Sequence, residues 1–100
     1  MKIRIRAAAR ADLQRQFYYL QQSHAGDETL VKLVSEVEEA LAKISRNPQT
    51  WSFAPGSQRV RRVQLPRFRM QVFYFIRRDG IPIVLEFARP GLQPRWAGRF

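Results

Sequence analysis

One hundred residues with 45% apolar side chains make one small domain, which buries about 60–70% of its unfolded surface and leaves little room for a cofactor domain. With no cysteine, disulfide frameworks, thiol nucleophiles and cysteine-based zinc sites are excluded, and no apolar run approaches the roughly 18–20 residues of a membrane span. Eighteen basic residues against eight acidic ones give a formal charge of +10, so anionic partners are expected.

The opening MKIRIRAAAR has basic residues but no apolar run behind them, so no signal peptide is expected. A secreted chain of this size would usually carry disulfides, which makes a reducing cytoplasm the expected compartment. The charge is unevenly spread. Residues 1–50 carry a net +2, whereas residues 51–100 carry ten Arg against Asp79 and Glu86, a net +8. Fifteen of the eighteen basic residues are Arg, whose planar fork suits bidentate contact with phosphate or carboxylate. A codon bias toward Arg explains the Arg-to-Lys ratio equally well, but not the concentration in one half.

In chain order, Lys2 to Arg6 alternates between Ile3 and Ile5 on one face and charged residues on the other, the pattern of a short strand. From Ala7 to about Ser23 the stripe Ala9, Leu13, Phe17 and Leu20 predicts a helix, which His24-Ala25-Gly26 breaks. Asp27 reads as the N-cap of a second helix, with Glu28 beside its positive end. Leu30, Leu33, Val34, Val37, Leu41 and Ile44 form its apolar stripe, and Asn47-Pro48 stops it. Gln49 to Gln58 is a loop. Val63 and Leu65 alternate with Arg62 and Gln64 in a strand that Pro66 ends, and Met70 to Ile76 reads as a central strand buried on both faces. Asp79-Gly80 is a two-residue hairpin signal, after which Ile81, Ile83, Leu85 and Phe87 alternate with Pro82, Val84 and Glu86. The order β-α-α-β-β-β predicts an α+β domain, a helix hairpin packed on one face of a small, mainly antiparallel sheet.

The chain offers few groups for catalysis. His24 is the sole histidine, with no second His for a metal and no Ser–acid pair for a triad; it reads as an exposed turn residue. Glu36, Glu38 and Glu39 read as a solvated helix face, and there is no Gly-rich phosphate loop. No metal or cofactor is expected. The basic cluster says more. Arg59, Arg61 and Arg62 lead into the first strand of the second half, Arg67 and Arg69 flank Phe68, and Arg89, Arg95 and Arg99 bracket Trp96. If the three strands are neighbours, these guanidinium groups converge at one end of the sheet, where they suit phosphate or an acidic protein and Trp96 suits a stacked base. A solvated polar face with Trp96 capping the core is the plainer reading of the same residues. Val63 and Leu65 share a face with Arg61, which puts Arg62 on the face opposite the helices. Arg89, Arg95 and Arg99 lie after the last strand, a placement that suits contact with a partner better than packing.

These features together resemble the RelE/ParE family of type II toxin–antitoxin toxins, most closely its ParE branch. The resemblance is carried by Ala9-x-x-Asp12-Leu13 and Tyr18-Tyr19-Leu20 in the first helix, and by Ala40-Leu41 with Asn47-Pro48 in the second. It continues through Val60-Arg61-Arg62-Val63-Gln64-Leu65, Phe68, Val72-Phe73-Tyr74 and Asp79-Gly80-Ile81, so it spans nearly the whole chain in order. The chain departs from the family at Phe68-Arg69-Met70, where a Phe-Pro-Tyr turn is common, and at Leu85-Glu86-Phe87-Ala88-Arg89, where a His often stands.

The resemblance implies one of two activities. RelE-like members are ribosome-dependent mRNA endonucleases that use basic residues and a C-terminal Tyr on the 2′-hydroxyl and scissile phosphate; ParE-like members poison DNA gyrase without that set. Here no Tyr follows Tyr74, no Lys follows Lys43 and no His follows His24, and Arg stays charged and so rarely exchanges a proton. The expectation is therefore a gyrase inhibitor, with no catalytic residue of its own, neutralised by a cognate antitoxin in a hetero-oligomer. Arg61, Arg62, Arg67, Arg69, Arg89, Arg95, Trp96 and Arg99 are the expected contact residues for target or antitoxin. Glu86, as a base, is what an mRNA interferase acting on the ribosome would use, and a basic module that has lost its toxicity is the third reading.

Overall fold

A computed structural model describes residues 2–23 and 26–100; His24, read from the sequence as a turn residue, lies outside them. The elements are β1 (Arg4–Ile5), α1 (Ala7–Gln22), α2 (Asp27–Arg46), β2 (Val60–Leu65), β3 (Met70–Ile76), β4 (Pro82–Ala88) and a short 3-10 helix at Trp96–Arg99. The sheet order is β1-β4-β3-β2, antiparallel throughout except where β1 runs parallel to β4. The α+β architecture and element order are those expected from the sequence, and no helix among the described residues is long and apolar enough to cross a membrane.

The helix hairpin covers one face of the sheet. Ala9 of α1 and Leu33, Val37, Ala40 and Ile44 of α2 pack on Val63, Leu65, Met70, Val72, Tyr74, Val84 and Phe87. Val34, expected in this stripe, is exposed, and the buried row is Leu33, Val37, Ala40 and Ile44, the i, i+4, i+7, i+11 spacing of one helix face. The N-cap of α2 is Gly26, so Asp27 is the first helical residue; it acts through the helix dipole with Glu28, as Lys43 and Arg46 do at the other end. Glu36 departs from the expected solvated face, because its Oε1 accepts the Arg67 N–H at 3.0 Å.

The opposite face of the sheet carries a second apolar cluster of Ala54, Val60, Phe73, Phe75, Ile83, Leu85 and Ala88. The C-terminal segment covers part of it. Trp96 packs on Phe73 with ring centroids 6.3 Å apart, and Phe100 lies 4.7 Å from Phe75. The chain end is thus seated on the sheet through Trp96, Arg99 and Phe100, whereas Arg89 to Arg95 stand exposed, as the sequence suggested for Arg89 and Arg95.

Two local expectations are corrected. The β3–β4 connection is a three-residue loop of Arg78, Asp79 and Gly80, with Gly80 N–H donating to the Arg77 carbonyl at 2.8 Å and Arg77 N–H to the Ile81 carbonyl at 2.9 Å. Only Gly80 has a positive φ (86°), so Asp79 does not take the left-handed conformation a two-residue Asp-Gly turn needs. Within β4 the expected alternation breaks: Phe73 pairs with Glu86 but Tyr74 with Val84, which leaves Leu85 as the extra residue of a β-bulge. Phe87 therefore joins Val84 on the helix face, while Ile83 and Leu85 stay on the other.

The bulge is held by a buried ion pair. Pairing with β1 reaches only Ile83 and Val84, so the next backbone groups of β4 need other partners. Asp12 of α1 accepts the Phe87 N–H on Oδ2 at 3.1 Å. Arg99 grips the same carboxylate with both ends of its fork, Nη1 to Oδ2 at 2.6 Å and Nη2 to Oδ1 at 3.1 Å, and donates to the Leu85 carbonyl at 3.2 Å. Arg15 closes the other side of Asp12. The hydrogen bond to Asp12 raises the proton affinity of the Arg99 guanidinium, with burial opposing it.

The turn between α2 and β2 is tied from beneath the sheet. The Tyr74 hydroxyl donates to the Pro48 carbonyl at 2.5 Å, and Arg61 Nη1 donates to the Trp51 carbonyl at 2.6 Å. Burial pushes the Tyr74 phenol from 10.0 up to about 12, with the Arg61 charge opposing.

Removing one partner of a buried pair strands the other. Asp12→Ala, which leaves Arg99 with no carboxylate, should destabilise by about 3–5 kcal/mol, and Arg99→Met should cost less because Arg15 and the Phe87 N–H still hold Asp12. The double variant should lose much less than their sum, as read from urea unfolding curves. Tyr74→Phe should cost about 1 kcal/mol through the lost hydrogen bond. Because the folded state holds the Tyr74 proton more tightly than the unfolded chain, its contribution is full below pH 10.0 and is lost as pH rises through about 12. Absorbance titration of wild type and Tyr74→Phe checks this: the variant should lack the component near pH 12.

Candidate functional site

Strand register sorts the face opposite the helices into rows. Val60, Phe75 and Ile83 form one apolar row under the C-terminal segment. The next row runs Arg62, Phe73, Glu86, and the last runs Gln64, Gln71, Ala88. Polar character therefore increases toward the β2–β3 turn, where Arg69 stands, and toward the end of β4, where Arg89 follows Ala88. Between these residues lies a groove of about 520 Å³, with Phe73 and Trp96 among its apolar lining and Arg62, Arg69, Arg89 and Gln71 among its polar lining. The segment from Pro90 to Pro94 forms one wall.

The three guanidinium groups of the groove come from three different elements: mid-strand, turn and strand end. None forms an ion pair with a carboxylate of the described residues. Arg89 leans on the Tyr19 ring of α1 at 5.4 Å, so the groove reaches the edge of the helix layer. Arg69 is the sole non-glycine among the described residues with a positive φ, 56°. It closes the four-residue turn from Pro66, in which Phe68 N–H donates to the Leu65 carbonyl and Arg69 N–H to the Pro66 carbonyl. A left-handed backbone costs a residue with a Cβ roughly 1–2 kcal/mol, and here it lets the four-residue turn close onto Met70.

Of the expected contact residues, Arg62, Arg69, Arg89 and Trp96 meet in this groove. The others are dispersed. Arg61 lies on the helix face, held by the Trp51 carbonyl with its guanidinium 4.1 Å from the centre of the Phe53 ring. Arg67 is drawn to Glu36 through its backbone N–H and a 4.0 Å ion pair. Arg99 is committed to Asp12. The Arg95 backbone N–H donates to Glu86 Oε1 at 2.8 Å.

That last contact disposes of Glu86 as a groove residue. Glu86 is buried and lines not the groove but an adjoining cavity of about 60 Å³ with Asp12, Arg15 and Arg95, which shares Ala88, Arg89, Leu92 and Gln93 with the groove wall. Tyr74 lies under the helices with its proton held to about pH 12. The groove therefore contains cations, amides and aromatics, but none of its lining side chains exchanges a proton near neutral pH.

Sequence reasoning missed Gln71 and Phe73 as site residues. Their signal was present: the turn at Pro66–Arg69 sets Leu65 opposite Met70, and counting back one and three residues along both strands places Gln64 opposite Gln71 and Arg62 opposite Phe73. It also missed Asp12, which sits at i+3 from Ala9 inside the buried stripe of α1.

Relieving the backbone at position 69 separates strain from charge. Arg69→Gly should be neutral to stabilising, by up to about 1 kcal/mol, since relief of the positive φ is partly offset by unfolded-state entropy. Arg69→Val should destabilise, because a β-branched residue tolerates that conformation least. Thermal unfolding of the two variants against wild type checks the order.

Comparison with models of known families, with curated proteins and with solved structures finds no match to this chain.

Proposed function

We propose that this chain is the toxin of a type II toxin–antitoxin pair, ParE-like, inhibiting DNA gyrase and neutralised by a cognate antitoxin in a cytoplasmic hetero-oligomer. One observation carries the choice of a binding mechanism over a catalytic one. The groove is lined by Trp96 and by three arginines without a carboxylate partner among the described residues, with no side chain able to act as general acid or base. Such a surface grips an anionic partner and breaks no bond in it. The β-α-α-β-β-β order agrees with the resemblance to RelE/ParE toxins. Tyr18, Tyr19 and Val31 are more than half exposed on the helix hairpin of a +10 chain, which supports docking of an acidic, amphipathic antitoxin segment.

The second reading, a ribosome-dependent mRNA interferase, draws support from the same three arginines, since an RNA backbone is also a row of phosphates. It needs a proton-transfer group, and Glu86 is engaged by the Arg95 N–H outside the groove.

Expression alone should arrest growth, and the purified protein should inhibit gyrase supercoiling while leaving translated mRNA intact. Arg62→Ala with Arg89→Ala should abolish both effects and change stability by about 0.5 kcal/mol per site or less, because neither guanidinium holds a carboxylate and the Arg89 contact with Tyr19 is an exposed one. Unchanged supercoiling at large toxin excess removes the gyrase reading. Cuts in ribosome-bound mRNA that vanish in Glu86→Gln establish the interferase instead.

A further inference from the structure

We infer that the groove is a binding site for a free nucleoside polyphosphate, with the phosphates on Arg62, Arg69 and Arg89 and the base against Trp96. This goes beyond the gyrase reading, and its test uses no gyrase, so either can fail alone.

The size fits. A groove of about 520 Å³ lies within the roughly 300–1,000 Å³ of small-molecule sites. The charge arrangement fits as well. Three arginines line one concavity and none pairs with a carboxylate of the described residues; the Arg89 guanidinium rests at the rim, 5.4 Å from the centre of the Tyr19 ring. A di- or triphosphate brings several negative charges on a short chain and presents the oxygen pairs that planar forks take bidentately. Arg69 joins this lining from the left-handed residue that closes the β2–β3 turn.

The remaining lining suits a base. Trp96 is tilted 32° to Phe73 and is only partly covered by it, so an aromatic surface stays available for stacking beside the cations. Gln71 and Gln93 supply amide donors and acceptors for a base edge. The wall from Pro90 to Pro94 bounds the groove on one side, which favours a single nucleotide over a continuous strand. A nucleotide bound there occupies the same cations that the proposed target contact uses, so the cell's nucleotide pool would set how much toxin is free to act.

Isothermal titration calorimetry of the full chain with ATP tests this, with tripolyphosphate, adenosine and a short single-stranded oligothymidylate as comparison ligands. ATP should bind one-to-one and at least about tenfold more tightly than tripolyphosphate or adenosine. Arg62→Ala and Arg89→Ala should each weaken ATP at least about tenfold, the effect of losing one charge-assisted contact. Arg78→Ala, an exposed charge on the β3–β4 turn and outside the groove lining, should leave it within about twofold. Absence of ATP binding overturns the inference. So does tripolyphosphate binding as tightly as ATP, an equal loss in Arg78→Ala, or binding of the oligothymidylate without ATP.

Discussion

The Asp12 carboxylate is the point on which the two faces of the sheet depend. It lies on the buried side of α1, accepts the Phe87 N–H of the β4 bulge and is gripped bidentately by Arg99 from the chain's last turn. One side chain thereby joins the helix layer, the sheet and the C-terminal segment. A carboxylate so deeply placed is tolerated because each oxygen is occupied by charged or backbone donors; with any of them missing, desolvation would dominate.

The position of the groove follows from that tether. Arg99 anchors the C-terminal segment, and Trp96 and Phe100 then settle on Phe73 and Phe75. The segment covers the apolar row of Val60, Phe75 and Ile83 and stops short of the polar row of Gln64, Gln71 and Ala88. What is left uncovered is the end of the face where Arg62, Arg69 and Arg89 stand. The bulge contributes too, because it turns Phe87 into the helix-side core and keeps Leu85 under the segment.

Two groups within the arginine excess have different physics. Arg15, Arg61, Arg67, Arg77 and Arg99 each hold a carboxylate or carbonyl and act as structural ties. At the exposed β3–β4 turn, the hydrogen bond from Arg77 draws Asp79 down to about 2, so that tie stays ionised across the working pH range. Arg62, Arg69 and Arg89 have no carboxylate partner among the described residues and share one concavity. No carboxylate of the described residues neutralises their charge, and Arg69 stands on the left-handed residue that closes the β2–β3 turn.

Sequence by itself determined the element order, the helix hairpin and the face on which Arg62 stands, because these depend on periodicities of 3.6 and 2 that the apolar residues spell out locally. It determined the basic character of the second half as well, since that is composition. Tertiary structure alone decided which arginines are free. Arg62 and Arg99 look alike in the chain, and only the meeting of α1 with the chain's end, 87 residues apart, gives Arg99 its carboxylate. It also decided the bulge: the run Ile83 to Phe87 alternates cleanly as written, and the slip at Leu85 arises from how β4 must satisfy β3, α1 and Arg99 at once. Long-range pairing of charges leaves no local pattern in a sequence, which is why the candidate site was legible as a list of residues and became a place only when the chain folded.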